Sequence, residues 1–308
     1  MTAAAAYERL EPAASATPGR DGWLRASRSR RVMFGGGVLA AIAIAAIAAP
    51  LLGAVDPVAI NPLSRNLPPG AAATLTLLDG STAERVALFG TDGLGRDVYS
   101  RVLYGGRISL FVGVAAALLS GAIGMGVGLA AGYVRALDAV VMRAMDGLMA
   151  IPGVLLAIGL VSVWRAGVLT VVAAIVIPET PRVVRLVRAV TLKVREEPYI
   201  EAAVGVGSSP GAILARHVAP SVVAPLIVQC TFACATAILI EAALSFLAVG
   251  VPIETPSWGN VMAEGRQWFR LYPQTILAPG LFVALTVLAV NMLGDGLRDA
   301  FDASERPS

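Results

Sequence analysis

Lysine, histidine and cysteine are scarce in this chain of 308 residues, and each scarcity excludes a kind of chemistry. The sole lysine, Lys193, follows Leu192 rather than glycine, so the chain has no Walker A phosphate-binding loop. The sole histidine, His217, leaves no paired histidines for a metal-dependent hydrolase. Cys230 and Cys234 lie in an apolar run, where we expect small packing side chains rather than a disulfide or a metal site.

Charge is also scarce. Asp, Glu, Lys and Arg make up 15% of the residues, whereas about a quarter is usual in a soluble domain. Hydrophobic residues make up 56%, and the mean hydropathy is +0.74. Because roughly 20 apolar residues cross a bilayer, the charge-free runs predict an all-α integral membrane protein with six transmembrane helices. The runs are 32–55, 108–134, 147–164, 166–178, 218–240 and 271–294, and the fourth must borrow uncharged residues beyond its end.

The basic residues predict an orientation. If both termini are cytoplasmic, about two thirds of the 24 Lys and Arg residues face the cytoplasm, in agreement with the positive-inside rule. An arginine-rich stretch, 25–31, precedes the first span, and we expect it to contact anionic lipid headgroups of the bilayer. The net charge of +3 follows from this arginine bias, so it does not indicate a nucleic-acid partner.

The predicted segments follow from these runs. The tail has no apolar periodicity and is expected to be mostly disordered, and 74–78 is a candidate strand in the loop after the first span. The core of five spans includes a cytoplasmic loop, 182–220. In chain order the segments are a cytoplasmic tail 1–31, the first span 32–55, an extracytoplasmic loop 56–107, the core 108–294 and a cytoplasmic tail 295–308.

The predicted cytoplasmic loop 182–220 is longer than an ordinary helix–helix connection. Within it, three helix formers precede two glycines: Glu201, Ala202, Ala203, Gly205 and Gly207. The glycines end one short helix, and the Ser-Ser-Pro segment 208–210 begins another, with a serine as N-cap and proline in the first turn. Two short helices joined in this way form a compact projection at the membrane surface, suited to docking rather than to chemistry.

The spacing in this loop resembles that of a known family. Glu-Ala-Ala, three residues, Gly207 and then Arg216-His217-Val218-Ala219-Pro220 is similar to the coupling loop of dipeptide, oligopeptide and nickel permeases of ABC importers. In that family the loop docks in a cleft of an ATPase subunit, which implies the same role for Glu201, Ala202, Ala203, Gly207, His217 and Pro220. Ala219 and Ser221 depart from the family pattern.

Other blocks resemble the same family in the same order, over about residues 88–302. They are Phe89-Gly-Thr-Asp-Gly-Leu-Gly-Arg-Asp97, Ile151-Pro152, Glu241-Ala-Ala-Leu-Ser-Phe-Leu247, Pro256-Ser-Trp-Gly259 and Leu293-Gly-Asp-Gly-Leu-Arg-Asp299. The resemblance implies the type I, MetI-like permease fold in a bacterial inner membrane. It also implies a subunit that forms half of a solute pathway for di- or oligopeptides, or alternatively for nickel or another small solute.

The resemblance further implies the partners. They are a second, homologous permease, two ATP-binding subunits and an extracytoplasmic substrate-binding protein. ATP and Mg²⁺ would bind the ATPase subunits, so the chain is expected to be no enzyme and to hold no cofactor or metal of its own.

Charged residues near the predicted membrane surfaces are further candidates. Asp92, Arg96, Asp97 and Arg101 are expected to pair with one another at the outer mouth. Such pairs form either a docking surface for a binding protein or a structured loop with surface ion pairs.

Two carboxylates are predicted at helix ends. Asp146 is expected to pair with Arg143, three residues earlier on the same helix face. Glu241 ends the fifth charge-free run, and it is expected to face the bundle or its edge rather than lipid. The favoured role is a helix-end carboxylate that reaches the interface, and the alternative is a gate or a substrate contact.

Two other classes of function are less consistent with the sequence. An ion-driven secondary carrier would need ionisable residues in mid-span or an inverted repeat of broken helices, and the long charge-free runs offer neither. An intramembrane hydrolase would need a buried Ser-His pair, but the single histidine lies in a predicted loop.

Overall fold

The computed structural model of the chain describes residues 20–164 and 166–302. The regular secondary structure in these residues is helical apart from a hairpin of two antiparallel strands, β1 (Ala71–Thr76) and β2 (Thr82–Ala87). The α-helices are α1 Arg20–Arg28, α2 Arg30–Ile47, α3 Val98–Tyr133, α4 Arg135–Met149, α5 Gly153–Val163, α6 Val168–Arg195, α7 Pro198–Gly205, α8 Pro210–Ile213, α9 Ala219–Phe246, α10 Trp258–Gly265 and α11 Gln274–Asp302. The predicted strand at 74–78 overlaps β1.

Within the described residues, four helical segments are long and apolar enough to cross a membrane. They are Arg30–Ile47, Val98–Tyr133, Pro210–Phe246 and Gln274–Phe301. A fifth span is present if α4 and α5, which meet at 86°, count as one. The chain is therefore a multi-pass membrane protein, but the predicted count of six spans is not confirmed.

The third and fourth predicted spans account for the difference. The chain bends between α4 and α5 at Pro152, because proline has no N–H to continue the hydrogen bonding of the preceding helix. This bend divides the run 147–164 between the two helices. The run 166–178 becomes the first half of α6, which continues through Arg195. Glu179 and several arginines follow that run within the same helix, so α6 as a whole is not a long apolar span.

Several predicted boundaries also move. Helix α2 ends at Ile47, ahead of Pro50, and α3 begins at Val98 rather than near 108. Residues 20–28 of the predicted disordered tail form α1, and α11 continues through residues predicted to be a tail as far as Asp302. Positions 1–19, 165 and 303–308 lie outside the described residues.

A stripe of glycines on α3 packs against β-branched side chains on α6. A Cβ added at Gly124 would lie 2.5 Å from the Cβ of Val183, and one at Gly128 would lie 2.6 Å from that of Val187. Gly132 meets Thr191 in the same register, at 2.7 Å. The two backbones therefore approach closely along the length of the contact, as small residues at every fourth position allow.

Trp258 forms the centre of a second contact, between α2, α3, α9, α10 and α11. Its side chain is fully buried, and its indole Nε1–H donates to the carbonyl of Val102 at 2.9 Å. The bond satisfies the one polar group of the ring, so the tryptophan anchors α10 against the first turns of α3.

Candidate functional site

The segment between α6 and α9 carries the residues predicted to dock a partner. The predicted start of this loop at 182 is wrong, because residues 182–195 complete α6. What remains is α7, a turn, α8 and a π-helical turn, Leu214–Val218, that runs directly into α9. We call residues 198–218 the two-helix knob.

Helix α7 ends in a Schellman motif centred on Gly207. The Gly207 N–H donates to the carbonyl of Val204 at 2.9 Å, and the Ser208 N–H donates to that of Ala203 at 3.1 Å. This pairing requires a left-handed residue, and Gly207 has a φ of 81°. A Cβ at Gly207 would meet no atom within 4 Å, so the space beyond the turn is open.

Helix α8 begins as the sequence predicts. The Ser209 hydroxyl oxygen accepts a hydrogen bond from the Ala212 N–H at 3.4 Å, and Pro210 occupies the first turn. The predicted pair of short helices is therefore confirmed. The second short helix is continuous with the fifth predicted span, because Pro210–Phe246 is one helical segment.

His217 and Pro220 lie where the knob joins α9. The imidazole of His217 contacts the ring of Tyr199, with centroids 6.2 Å apart, and this contact ties the end of the knob to its first helix. Pro220 is in the first turn of α9. Because proline has no N–H to bond the carbonyl four residues earlier, the wider π-helical turn lies next to it.

The knob has a buried base and an exposed tip. Glu201 and Ala202 are exposed on α7, and Ala203 is half-buried. At the tip, Val204 and Val206 are 57% and 82% exposed. The base packs into a cluster with α3, α6 and α9, formed by Leu129, Val183, Val187, Val194, Ile200, Ile213, Val218 and Val222. The tip is therefore an apolar surface held on a packed foundation.

Arginines of α6 brace this foundation. The Arg195 guanidinium donates to the carbonyls of Gly132 and Tyr133 at 3.0 and 3.1 Å, which satisfies two carbonyls at the end of α3. It also lies over the Tyr133 ring, 5.3 Å from the centroid. The end of α6, from which the knob projects, is thus fixed to the end of α3.

The predicted pairing of Asp146 with Arg143 is wrong. Asp146 of α4 pairs with Arg185 of α6, with 2.5 Å between Oδ1 and the guanidinium. About two helical turns earlier on α4, Asp138 pairs with Arg188 through two hydrogen bonds. The carboxylates face α6 because α4 lies beside it, and spacing within α4 alone does not reveal that neighbour.

The predicted charges at the other end of the bundle form a buried cluster. The Arg96 guanidinium pairs with Asp92, with Nε 2.7 Å from Oδ2, and also with Glu264 of α10. Arg101 lies 3.1 Å from Glu264 and 3.8 Å from Asp92. The side chains of Arg96 and Arg101 are 4% and 1% exposed, so these are not the surface ion pairs that were one of the expected alternatives.

Asp97 does not pair with an arginine in this cluster. Its carboxylate accepts hydrogen bonds from the backbone N–H and the hydroxyl of Ser100, at 2.8 and 2.5 Å, and so caps α3. Burial raises the pKa of Asp97, while the bonds from Ser100 oppose that rise. Its role is to start α3 at Val98, ahead of the apolar run.

Sequence reasoning missed Glu264. Burial raises the pKa of this carboxyl, and the adjacent charges of Arg101 and Arg96 oppose the rise. An acidic residue shortly after the block Pro256-Ser-Trp-Gly259, in the helix that begins at Trp258, was the available signal. Nothing in the sequence links that helix to the arginines near residue 100, because the contact depends on the fold.

Glu241 is buried rather than at the interface, which corrects the prediction. Its carboxylate accepts hydrogen bonds from the hydroxyls of Ser109 on α3 and Ser245 on α9, at 2.8 and 2.9 Å. The backbone N–H of Trp258 donates to the hydroxyl oxygen of Ser109 at 3.3 Å. Glu241 therefore joins α9 to α3 and, through Ser109, to the start of α10.

Comparison with known proteins decides the family. Residues 122–307 match the family model described as binding-protein-dependent transport system inner membrane component, and residues 17–69 match the N-terminal TM domain of oligopeptide transport permease C. The chain belongs to this family of transport permeases. It is therefore a permease subunit of the ABC transporter class, as its sequence predicts.

Curated relatives agree over nearly the whole chain. It is 49% identical to the probable peptide ABC transporter permease protein y4tQ of Sinorhizobium fredii, over 90% of each chain. It is 37% identical to the dipeptide transport system permease protein DppC of Alkalihalophilus pseudofirmus, over 93% of this chain and 90% of that one. It is 43% identical to the glutathione transport system permease protein GsiD of Escherichia coli, over 70% and 71%.

Solved structures give the fold. A chain of the MetNI methionine ABC transporter in an inward-facing conformation superposes with a TM-score of 0.55, covering 65% of this permease and 96% of that chain. At 18% identity the likeness concerns the fold alone. The MetI-like fold inferred from the sequence is therefore confirmed for the helical core.

Proposed function

We propose that this permease imports di- or oligopeptides as half of a two-permease pathway, and that the two-helix knob couples it to an ATP-binding subunit. The observation that carries the proposal is the tip of the knob, where Val204 and Val206 are exposed while the base is packed. Exposed apolar side chains on a rigid turn are typical of a surface that binds a partner protein.

The contacts of the knob would transmit a displacement of its tip to the membrane helices. Its base packs on α3 and α6, and its second half is continuous with α9 over Pro210–Phe246, about 55 Å of helix. Glu241 near the far end of α9 bonds to α3. Closure of ATP-bound partner subunits would therefore be transmitted from the tip through α9 to the opposite side of the membrane. ATP and Mg²⁺ would bind those partners.

Orientation and the other partners belong to the same proposal. The arginines of α6 and the knob face the cytoplasm, both termini lie on that side, and the membrane is the bacterial inner membrane. The hairpin and α10 then face outward, where a substrate-binding protein would dock. The family description and the distribution of arginine support this placement.

Peptide is the substrate class that the relatives favour. The three relatives compared above are named for peptide, dipeptide and glutathione transport. Each of these solutes has peptide bonds and a carboxylate, so a pathway for short peptides accounts for all three names.

The proposal is tested by affinity purification of the full chain from native membranes, followed by uptake measurements. Recovery of a second permease and two ATP-binding subunits, with loss of labelled dipeptide or oligopeptide uptake on deletion of the chain, is the expected result. A permease that purifies without an ATPase and moves solute in ATP-free liposomes would refute the importer. Uptake of nickel but not of peptides would refute the substrate class alone.

Orientation has its own test. With Cys230 and Cys234 replaced by alanine, a cysteine at Val206 should react with an impermeant maleimide only in inside-out vesicles. A cysteine at Ser81, exposed in the hairpin turn, should react in spheroplasts but not in inside-out vesicles. The reverse pattern would invert the topology.

A further inference from the structure

Helix α1 differs from the transport core in composition and in what it exposes. One side of this nine-residue helix, Gly22 and Ala26, is buried against the last helix, α11. The other side leaves Trp23 and Leu24 45% and 49% exposed. Within the described residues, neither side chain is buried in a hydrophobic core.

Two contacts hold α1 to the end of α11. The Trp23 ring packs edge-on against Phe301, with centroids 5.4 Å apart. Just beyond α1, Arg31 pairs with Asp299, with 2.6 Å between Nη1 and Oδ2. The helix is therefore a docked element with a fixed outer face, and that face moves with the end of the last span.

The position of α1 places that face beside the bilayer. Only Ser29 separates it from α2, which is long and apolar enough to cross the membrane. A short helix at that level, with tryptophan and leucine next to basic residues, has the composition of an interfacial helix. Tryptophan prefers the headgroup region, since its ring is apolar and its N–H is polar.

Exposed basic side chains lie at the end of α1 and at the start of α2. Arg28 and Arg30 are exposed, and among the side chains that the structure describes neither has a carboxylate partner. By contrast, Arg185 and Arg188 of α6 are paired with carboxylates of α4. Two unmatched guanidinium groups beside a membrane fit the phosphates of anionic lipids.

We propose that α1 and the first residue of α2 form a binding surface for anionic phospholipid, with Arg28 and Arg30 on the headgroup phosphates and Trp23 and Leu24 in the interface. Bound lipid fixes α1, and through Trp23 and Arg31 it fixes the end of α11. The proposal rests on the membrane placement given under the proposed function and not on the substrate.

The test uses the full chain in phosphatidylcholine nanodiscs that contain equal fractions of brominated phosphatidylglycerol or brominated phosphatidylcholine. The chain has four tryptophans, so the Trp23 signal is the difference between the wild type and Trp23→Phe. We expect brominated phosphatidylglycerol to quench this signal about twofold more strongly. In the double variant Arg28→Ala and Arg30→Ala, the two lipids should quench equally.

A matched control removes the same charge from the other end of the bundle. Arg65 and Arg270 are also exposed, and Arg65→Ala with Arg270→Ala should keep the preference for phosphatidylglycerol. Equal quenching in the wild type, or a preference that survives loss of Arg28 and Arg30, would overturn the proposal. So would a Trp23 signal that neither lipid quenches, since the outer face of α1 would then lie away from the bilayer. No outcome depends on transport, so the proposed function stands or falls separately.

Discussion

The loop before α3 and the knob before α9 both bury apolar side chains, but only the former also buries charged ones. In the former, which we call the hairpin loop (residues 53–97), Arg96 is buried beside Asp92 and is shared with Glu264. In the knob, the buried side chains are apolar, and the charged Glu201 is exposed together with Val204 and Val206. One loop encloses charge, and the other leaves its charge in the open beside an apolar tip.

The difference indicates which loop is complete by itself. Buried charge is tolerated only where partners are already present, and the hairpin loop supplies them within the chain. Exposed valines at a rigid turn gain stability only when something covers them. The charged cluster of the hairpin loop is therefore complete within the chain, whereas the valines at the tip of the knob have nothing in the described residues that covers them.

Substitution of the glycine at each turn should separate the two loops most sharply. Gly207 and Gly80 have φ values of 81° and 83°, and a Cβ at either would meet nothing within 4 Å. Gly207→Asp and Gly80→Asp therefore impose the same left-handed strain, about 1–2 kcal/mol each. We expect uptake to be abolished by Gly207→Asp and retained by Gly80→Asp, with both proteins present in the membrane.

Uptake and membrane content are measured on the same cells, so a folding defect is distinguished from a docking defect. Equal uptake by the two variants would show that the knob needs no partner. Equal loss would show that strain alone, rather than the position of the side chain, decides the outcome.

Loss of a buried charge should affect the hairpin loop next most strongly. Arg101→Ala leaves Glu264 and Asp92 with one arginine between them in a buried site, so we expect the free energy of unfolding to fall by about 3 kcal/mol. Arg65→Ala, at an exposed position of the hairpin loop, should change it by less than about 0.5 kcal/mol. Denaturant titration in detergent measures the free energy of unfolding of both variants. Equal effects would mean that the buried arginine contributes no more to stability than the exposed one.

How far the sequence predicts each loop follows from the range of the interactions. In the knob, helix formers, Gly207 and the Ser-Pro start are local signals, and the structure has the corresponding elements in place. In the hairpin loop, Asp92 and Arg96 are four residues apart, and their pair could be expected. Glu264 joins them from 168 residues away, through a contact that only the packing of α10 on α3 creates.

The same reasoning explains the errors in the spans. Counting charge-free residues fails for α6, because its apolar half is buried in the bundle and its charged half pairs with α4. It also places Glu241 at a surface, although serines from two helices surround the carboxylate. A charge that has protein partners does not end a helix, and a linear count cannot detect those partners.

A smaller effect is expected from the valines. Val206→Ser should weaken binding of the ATP-binding subunit about tenfold while leaving the free energy of unfolding unchanged, because the side chain is exposed until the partner covers it. Val86→Ser is the matched control, with an exposed valine on β2. The affinity of the purified permease for the ATPase measures the effect. Loss of stability instead of affinity would place Val206 in the core.

The smallest effect is expected from Glu264→Gln. Burial raises the pKa of Glu264 above its ordinary value of 4.5, so the folded protein binds a proton more readily than the unfolded chain. Stability from this group is present below about pH 4.5 and is lost as pH rises through the higher folded-state pKa. Because glutamine resembles the protonated acid, Glu264→Gln should remove that part of the pH dependence, by less than about 1 kcal/mol. A pH profile unchanged by Glu264→Gln would mean that the arginines fully compensate the buried carboxylate, and the hairpin loop would then be stabilised by its charges rather than only tolerant of them.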